Sequence, residues 1–293
     1  MNSVKEHAYA KINLYLDVTG KRDDGFHDVK TVMHTISLSD EITVSVKSSS
    51  KREVRLTLAG NQRIPQDSRN LAYRAAELFL SATLIDAEVN IRLNKRIPVA
   101  AGLAGGSTDA AAVLRALNRA FKKPLTDKRL LSLAAELGSD VPFCLIGGTA
   151  LCLGRGEQME RLSGGLHLYV LVAVADEYVS TPAAYASLDE LYDGFKACRE
   201  DNSEAYFTSL EESIKNGSLG NFELYNIFEK AVFRTCFGAE TLKRKMCELG
   251  ARQALMSGSG PSVFGIFEDE TTLEKARCEL ENAGFRAFSA QSV

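Results

Sequence analysis

Apolar residues alternate cleanly from His7 to Val18. Ala8, Ala10, Ile12, Leu14, Leu16 and Val18 share one face, while Tyr9, Lys11, Asn13, Tyr15 and Asp17 share the other. This pattern predicts a strand with a buried aliphatic side. A solvated opposite face is the plain role for Lys11, but Lys11 and Asn13 lie two apart on that face of a strand that reads as central. A charged loop with a DG turn signal follows at residues 20–28. Further strands are predicted over 29–38, 40–46 and 54–58, with SSSKRE as a hairpin connection between the last two.

Helical spacing starts at Leu71, Ala75, Leu78 and Phe79, with Asp67, Ser68 and Asn70 as cap candidates. A strand over 89–93 then leads through Lys95 and Arg96 into IPVAAGLAGGSTDAA, residues 97–111. After Ser107 the positions Ala110, Val113, Leu114, Leu117 and Phe121 form a helical stripe, with Asp109 in its first turn, where the helix dipole favours an acid. A second helix runs from Thr126 to a stop at Gly138 and is followed by SDVPF. Pro142 disfavours helix at Val141, which predicts a rigid, non-helical link carrying Asp140. Such an aspartate, beside a cap serine, is more often a turn residue than a catalyst.

Strands follow over 148–153, closed by an LGRGE turn, and over 166–174, and a helix opens near Pro182. Residues 194–220 are polar and weakly patterned and predict two short helices at most. Helices are predicted over 222–233 and 239–249. Ala254, Leu255 and Met256 then enter a second glycine cluster, SGSGPSVFGIF, whose tail 263–267 is a strand. A helix over 272–283 and a strand over 285–288 close the chain. No Pro-, Ser- or Gly-rich linker divides it, which leaves a soft boundary near residue 160.

The first glycine stretch carries the strongest chemical signal. Gly102, Gly105 and Gly106 allow tight turns and close approach of backbone, and the helix beginning after them offers unpaired N–H groups to an anion. A structural loop with a helix cap is the plainer reading. At positions 26 and 27, Phe26 and His27 set a flat aromatic beside a ring with donor and acceptor nitrogens, a plausible base-recognition pair or simply a loop anchor and a surface histidine.

The totals narrow the classes. With 293 residues, 45% apolar and 25% charged, the chain is an ordinary globular protein of one large or two moderate domains. A formal charge of −3 gives no reason to expect nucleic acid or an anionic membrane. The six cysteines, at 144, 152, 198, 236, 247 and 278, form no CxxC pair and mostly sit among apolar residues, as reduced, buried thiols do. The opening lacks the apolar region of a signal peptide and no apolar run reaches membrane-spanning length, so the expectation is cytoplasmic. Neither glycine stretch is GxxxxGK[ST] or a clean GxGxxG, and no HRD or DFG occurs. Walker ATPases, dinucleotide-binding dehydrogenases and protein kinases are therefore disfavoured.

PVAAGLAGGSTDAA resembles the Pro-x-x-x-Gly-Leu-Gly-x-Gly-Ser-Ser signature of the GHMP kinases, which phosphorylate small molecules with ATP. The motifs AKINL (10–14), RDDGFHD (22–28), LGSDVPF (137–143) and MSGSGPSVFGIF (256–267) match in order and approximate spacing. Together they are similar to the branch of that family whose acceptor is a cytidyl diphosphate alcohol. The likeness spans nearly the whole chain and is weakest over 194–220. Ala100 and Ala104 stand where the family usually has glycine, and Thr108 where it has serine. Alanine penalises positive φ, so Ala104 is hard to reconcile with a left-handed dihedral. LYNIFEKA, residues 224–231, is similar to a weakened form of the family's Asn-Asp-Leu-Glu segment, with Ile227 in the acidic place.

The resemblance implies an α+β, two-lobed GHMP kinase fold. A ribosomal-protein-S5-like N-terminal domain would span 1–160 and a ferredoxin-like C-terminal domain 161–293. It implies transfer of the ATP γ-phosphoryl group to the 2-hydroxyl of a diphosphocytidyl methylerythritol, on the non-mevalonate route to isoprenoid precursors. By position, Asp140 would accept or orient the hydroxyl proton, and Lys11 would sit near both. Pro98, Val99, Ala100, Ala101, Gly102, Leu103, Ala104, Gly105, Gly106, Ser107 and Thr108 would wrap the ATP phosphates, with Ser107 the best side-chain contact and Lys95 and Asn70 weaker nucleotide candidates. Asn13, Phe26, His27, Tyr178, Thr181, Gly258 and Gly260 would line the substrate side. Mg²⁺ is implied with ATP, though no two-carboxylate metal site is evident and its ligands stay unassigned. No nucleic acid, membrane or obligate protein partner is expected. Kinases of mevalonate, phosphomevalonate or homoserine, a related decarboxylase, and a non-catalytic binding protein are the alternatives. Phe26–His27 argues against the first group and the presence of Lys11 and Asp140 against the last.

Overall fold

A computed structural model describes residues 2–60, 63–195, 202–217 and 222–293. Its elements are strands and helices mixed along the chain, an α+β arrangement, and they gather into two compact units, neither continuous in sequence. Two long strands, β1 (Asn2–Lys21) and β2 (His27–Ser48), contribute residues to both units.

The first unit comprises Met1–Ala10, Ser39–Val99 and Ala104–Ile146. Here β4 (Ala87–Asn94) runs antiparallel to the second half of β2 and parallel to β3 (Glu53–Ala59). The expected hairpin between β2 and β3 does not form, because β4 lies between them. Val89, Ile91 and Leu93 of β4 are fully buried, as befits a strand paired on both edges. Helices α1 (Leu71–Thr83), α2 (Gly105–Ala120), α3 (Asp127–Leu137) and α4 (Val141–Ile146) complete the unit. Phe79, Leu80, Leu114, Leu117 and Leu133 join Ile42, Val44 and Ile91 in one core.

The second unit comprises Lys11–Leu38, Ala100–Leu103 and Gly147–Val293. The first half of β2 pairs antiparallel with β5 (Thr149–Gly154), which turns back through 155–157 into β6 (Gln158–Arg161). A separate antiparallel sheet has the order β11-β7-β10-β9. Its strands are β7 (Tyr169–Val174), β9 (Gln253–Met256), β10 (Ser262–Phe267) and β11 (Arg286–Gln291). Helices α8 (Phe237–Glu248) and α9 (Glu270–Asn282) pack on it through Leu242, Met246, Leu273 and Leu280. Helices α5 (Thr181–Leu191) and α6 (Ser203–Asn216) fill the connection between β7 and β8 (Tyr225–Asn226), which lies parallel to β1.

Several expectations are corrected. The strands at 29–38 and 40–46 are one, because Asp40 is fully buried and serves the loop beyond β4 rather than breaking the ladder. Helix over 222–233 shrinks to the single turn α7 (Glu229–Val232), since the Asn226 side chain bonds the nearby backbone instead. Val141 is helical: Pro142 falls in the first turn, where its missing N–H costs nothing. Of the cysteines, Cys152 and Cys236 are buried, Cys144 is half-buried, and Cys247 and Cys278 are exposed. All five are free, and Cys198 lies outside the described residues. The polar tract at 194–220 holds α6, a full 14-residue helix, while residues 196–201 and 218–220 of it lie outside the described residues. Among the described residues, no helix is long and apolar enough to cross a membrane.

Candidate active site

Helix α2 begins at Gly105, earlier than its apolar stripe suggested, so Gly105, Gly106, Ser107 and Thr108 form its first turn. Its N-cap is Ala104, which has no side chain with which to cap, and the leading N–H groups of a 16-residue helix stay available. Ser107 is half-buried and its hydroxyl makes no hydrogen bond among the described residues, whereas the Thr108 hydroxyl donates back to the Gly105 carbonyl at 3.0 Å. Pro98 is buried and Val99 half exposed on the approach to the turn.

The doubtful alanines do adopt left-handed backbone. Ala100 has φ 54° and Ala104 φ 56°, flanking Gly102 at 75°. Only at Gly102 is there also no room: a Cβ there would stand 2.0 Å from the Ser257 carbonyl oxygen. Alanine therefore meets a dihedral penalty at 100 and 104, of about 1–2 kcal/mol each, but glycine is required at 102 on two counts.

Beneath the turn in the first unit lies a buried charge cluster. The Lys95 ammonium donates to Asp40 and, at 2.7 Å, to Asp109, and all three side chains are almost wholly enclosed. The Asp40 carboxylate also receives the backbone N–H groups of Arg96 and Ile97. A Cβ at Gly105 would come within 2.9 Å of the Lys95 Nζ, so the glycine is what lets the amine sit under the helix start. Asp109 is the fifth residue of α2, buried rather than displayed to solvent, and its Oδ1 has no hydrogen-bond partner. Burial, reinforced by the Asp40 charge, pushes its carboxyl up despite Lys95. Asn70 is likewise occupied: its Oδ1 caps α1 through the Ala72 N–H and its Nδ2 donates to the Pro65 carbonyl.

The second unit holds the other glycine cluster. Gly258 and Gly260 have φ of 57° and 83°, and the Gly260–Pro261 peptide is cis. Ser257 Oγ donates to the Gly102 carbonyl at 3.1 Å and Ser262 Oγ to that of Ala101, which fastens residues 100–103 to this cluster. Lys11 N–H reaches the Leu103 carbonyl at 3.3 Å. The Lys11 side chain is 5% exposed, so the solvated-face reading is overturned. Its Nζ donates to Asn13 Oδ1 at 2.8 Å, and the same oxygen accepts the Gly258 N–H at 3.1 Å. Asn13 Nδ2 donates to Thr31 Oγ1, which donates to the Tyr15 carbonyl. Asn13 therefore ties the lysine to the glycine cluster.

Asn226 and Glu229 were not among the residues singled out. Asn226 Nδ2 donates to the carbonyls of Met256 and Gly258, and Glu229 Oε1 accepts the Met256 N–H. The signal lay in LYNIFEKA, whose Asn and Glu survive the loss of the acid at Ile227. Asp140 is half-buried in the first unit, directly before α4, and its carbonyl accepts the Cys144 N–H.

His27 is enclosed, with Tyr185 stacked on it at 4.7 Å between ring centroids. Its Nε2 lies 2.8 Å from Asp189 Oδ1. Phe26 is half exposed under the Arg155 guanidinium at 3.7 Å. Tyr178 is 78% exposed and makes none of these ring contacts; the ring stacked on His27 is that of Tyr185, seven residues on. Thr181 opens α5 and its hydroxyl bonds that of Ser259 at 2.8 Å. Among the described residues no cluster of three or more His, Cys, Asp or Glu could hold a metal.

Comparison with known proteins gives the class: a kinase of small molecules. Models of the GHMP kinases N terminal domain and the GHMP kinases C terminal domain match residues 70–148 and 207–287. The chain belongs to the GHMP kinase family. It is 43% identical over 272 residues to 4-diphosphocytidyl-2-C-methyl-D-erythritol kinase of Bacillus pumilus, covering 93% of this chain and 91% of that protein. It is 36% identical to the enzyme of that name from Clostridium acetobutylicum, over 98% and 99% of the two chains. A crystal structure of 4-(cytidine 5'-diphospho)-2C-methyl-D-erythritol kinase superposes with a TM-score of 0.81 at 34% identity, covering 98% of each chain. Homoserine kinase from Cytophaga hutchinsonii, at 21% identity and a TM-score of 0.77, shares the fold.

Proposed function

We propose that this chain phosphorylates the 2-hydroxyl of 4-diphosphocytidyl-2-C-methyl-D-erythritol with ATP, giving the 2-phosphate and ADP. The full-length likeness to kinases of that compound carries the reading. The uncapped start of α2 supports a nucleotide phosphate there, because its free N–H groups and the positive end of its dipole suit an anion. Ser107 would add its unused hydroxyl to the phosphates or to Mg²⁺. ATP would supply the phosphoryl group, and Mg²⁺ would supply charge neutralisation.

The chain's own part is positioning and proton handling. Lys11, kept in place by Asn13, would offset negative charge at the transferring group. Asp140 would take the proton of the substrate hydroxyl as its oxygen bonds to phosphorus and the bridging bond to ADP breaks. His27 and Tyr185 would meet the cytosine. Residues 1–160 would carry the turn that holds the ATP phosphates.

The test is to incubate the protein with Mg²⁺-ATP and, separately, the diphosphocytidyl alcohol, mevalonate, phosphomevalonate and homoserine, following ADP and phosphorylated product. Turnover with the first alone is expected. Turnover of mevalonate in place of the diphosphocytidyl compound would sink the reading.

A further inference from the structure

The His27 ring is fixed from three directions. Tyr185 lies across its face with 23° between planes, Phe195 meets it edge-on at 5.9 Å, and Asp189 takes its Nε2. Asp189 lies in the last turn of α5 and also binds Lys21 Nζ at 2.5 Å. Burial alone would raise the Asp189 carboxyl, but hydrogen bonds from Lys21 and His27, with the Lys21 charge, hold it below the usual carboxylate range. An ionised carboxylate only accepts, so the hydrogen between Asp189 and Nε2 belongs to the imidazole. In the neutral ring the other nitrogen, Nδ1, then carries a lone pair. Among the described residues Nδ1 makes no hydrogen bond.

We propose that Asp189 is a positioning residue for base selection: it holds His27 as the Nε2–H tautomer, so that Nδ1 presents an acceptor to the exocyclic amine of cytosine. A uracil carbonyl in the same place would set lone pair against lone pair, and discrimination follows from that mismatch. The inference rests on the reading of His27 as the residue that meets the base.

The experiment measures kinetics with the cytidyl substrate and its uridyl analogue, together with ¹⁵N NMR of the histidine side chains. Wild type shows a His27 Nε2–H signature and prefers the cytidyl substrate. Asp189→Ala gives a tautomer mixture. It also raises the cytidyl KM and narrows the preference by about tenfold, the worth of one hydrogen bond, with kcat and the ATP KM held. Asp189→Asn, which keeps an oxygen acceptor for Nε2–H, retains both signature and preference. Lys21→Met breaks the ion pair alone and leaves the preference intact. If Lys21→Met matched Asp189→Ala, the ion pair would be what matters and the inference would fall. It would also fall if Asp189→Ala changed neither readout while His27→Ala abolished the preference, and the base-reading role would then stand. If His27→Ala left the preference unchanged, that role itself would be wrong.

Discussion

Two buried lysines lie beside the two glycine-rich stretches, and they are held in different ways. Lys95 is clasped by two enclosed carboxylates from β2 and α2, and one of those carboxylates also binds the backbone of Arg96 and Ile97. Lys11 donates to the neutral amide oxygen of Asn13, which in turn holds Gly258. Moving Lys95 toward a nucleotide would strand two carboxyls in the core, a step of several kcal/mol. Its charge is a fastening for the turn above it. The amide contact fixes where the Lys11 ammonium sits and ties it to the second glycine cluster. Burial of a cation next to a glycine loop is therefore not enough to give it a role: an ammonium clasped by two buried acids is committed to the fold.

The sharpest way to break this contrast is to remove each ammonium in turn. Lys11→Met should lower kcat by about 10³–10⁴, near the upper end for a positioned catalytic group, while ATP binding by calorimetry and the melting temperature stay near wild type. Asp140→Ala should behave alike, and a large loss of ATP affinity with turnover preserved would contradict both assignments. Lys95→Met should do the reverse. Leaving two buried carboxyls unpaired should cost about 3–5 kcal/mol of stability, read by urea denaturation, with kcat of the folded fraction reduced far less than by Lys11→Met.

Asp109 gives a finer test through pH. Its folded pKa is raised from an ordinary 3.8 to about 8, so the folded state holds its proton where the unfolded chain has released it. The stability it contributes is fully present below about pH 3.8 and is lost as pH climbs toward 8. Asp109→Asn removes that dependence, so its melting temperature should gain on wild type steadily across this interval. Parallel curves would show that Asp109 is ionised in the fold. The smallest effect belongs to the left-handed alanine. Ala104→Gly relieves the dihedral penalty but loosens the unfolded chain, for a net gain under about 1 kcal/mol. Gly102→Ala, where a carbonyl blocks the methyl, should instead be clearly destabilising.

Much of the fold was legible where one periodicity ruled. The alternation of β1, the cap at Asn70, the helix start near Thr126 and the stripe of α2 all identify their elements. What escaped was decided by distant partners. Asp40 reads as a break in a strand because nothing local tells that Arg96 and Ile97 will need its carboxylate. The 222–233 segment carries helical spacing, but Asn226 is drawn to the carbonyls of Met256 and Gly258, thirty residues on. β3 and β4 pair in parallel, a choice that alternation within each strand cannot express. At the candidate site, residue types pointed to Lys11, Asn13 and His27, and the structure adds their fastenings. Tyr185 and Asp189 were hidden because an i, i+4 pair on a helix looks like surface until its neighbour is known.

The brace on the first glycine turn has a consequence for how the protein is made. Residues 101 and 102 are secured by serines 262 and 257, which lie 161 and 155 positions later in the chain. At ordinary elongation rates of about 5–20 residues per second, the turn leaves the ribosome roughly ten to thirty seconds before its brace is synthesised. The nascent chain carries the whole of PVAAGLAGGSTDAA through that interval with its leading half unsupported. Readiness of the turn thus waits on the synthesis of residues 257–262.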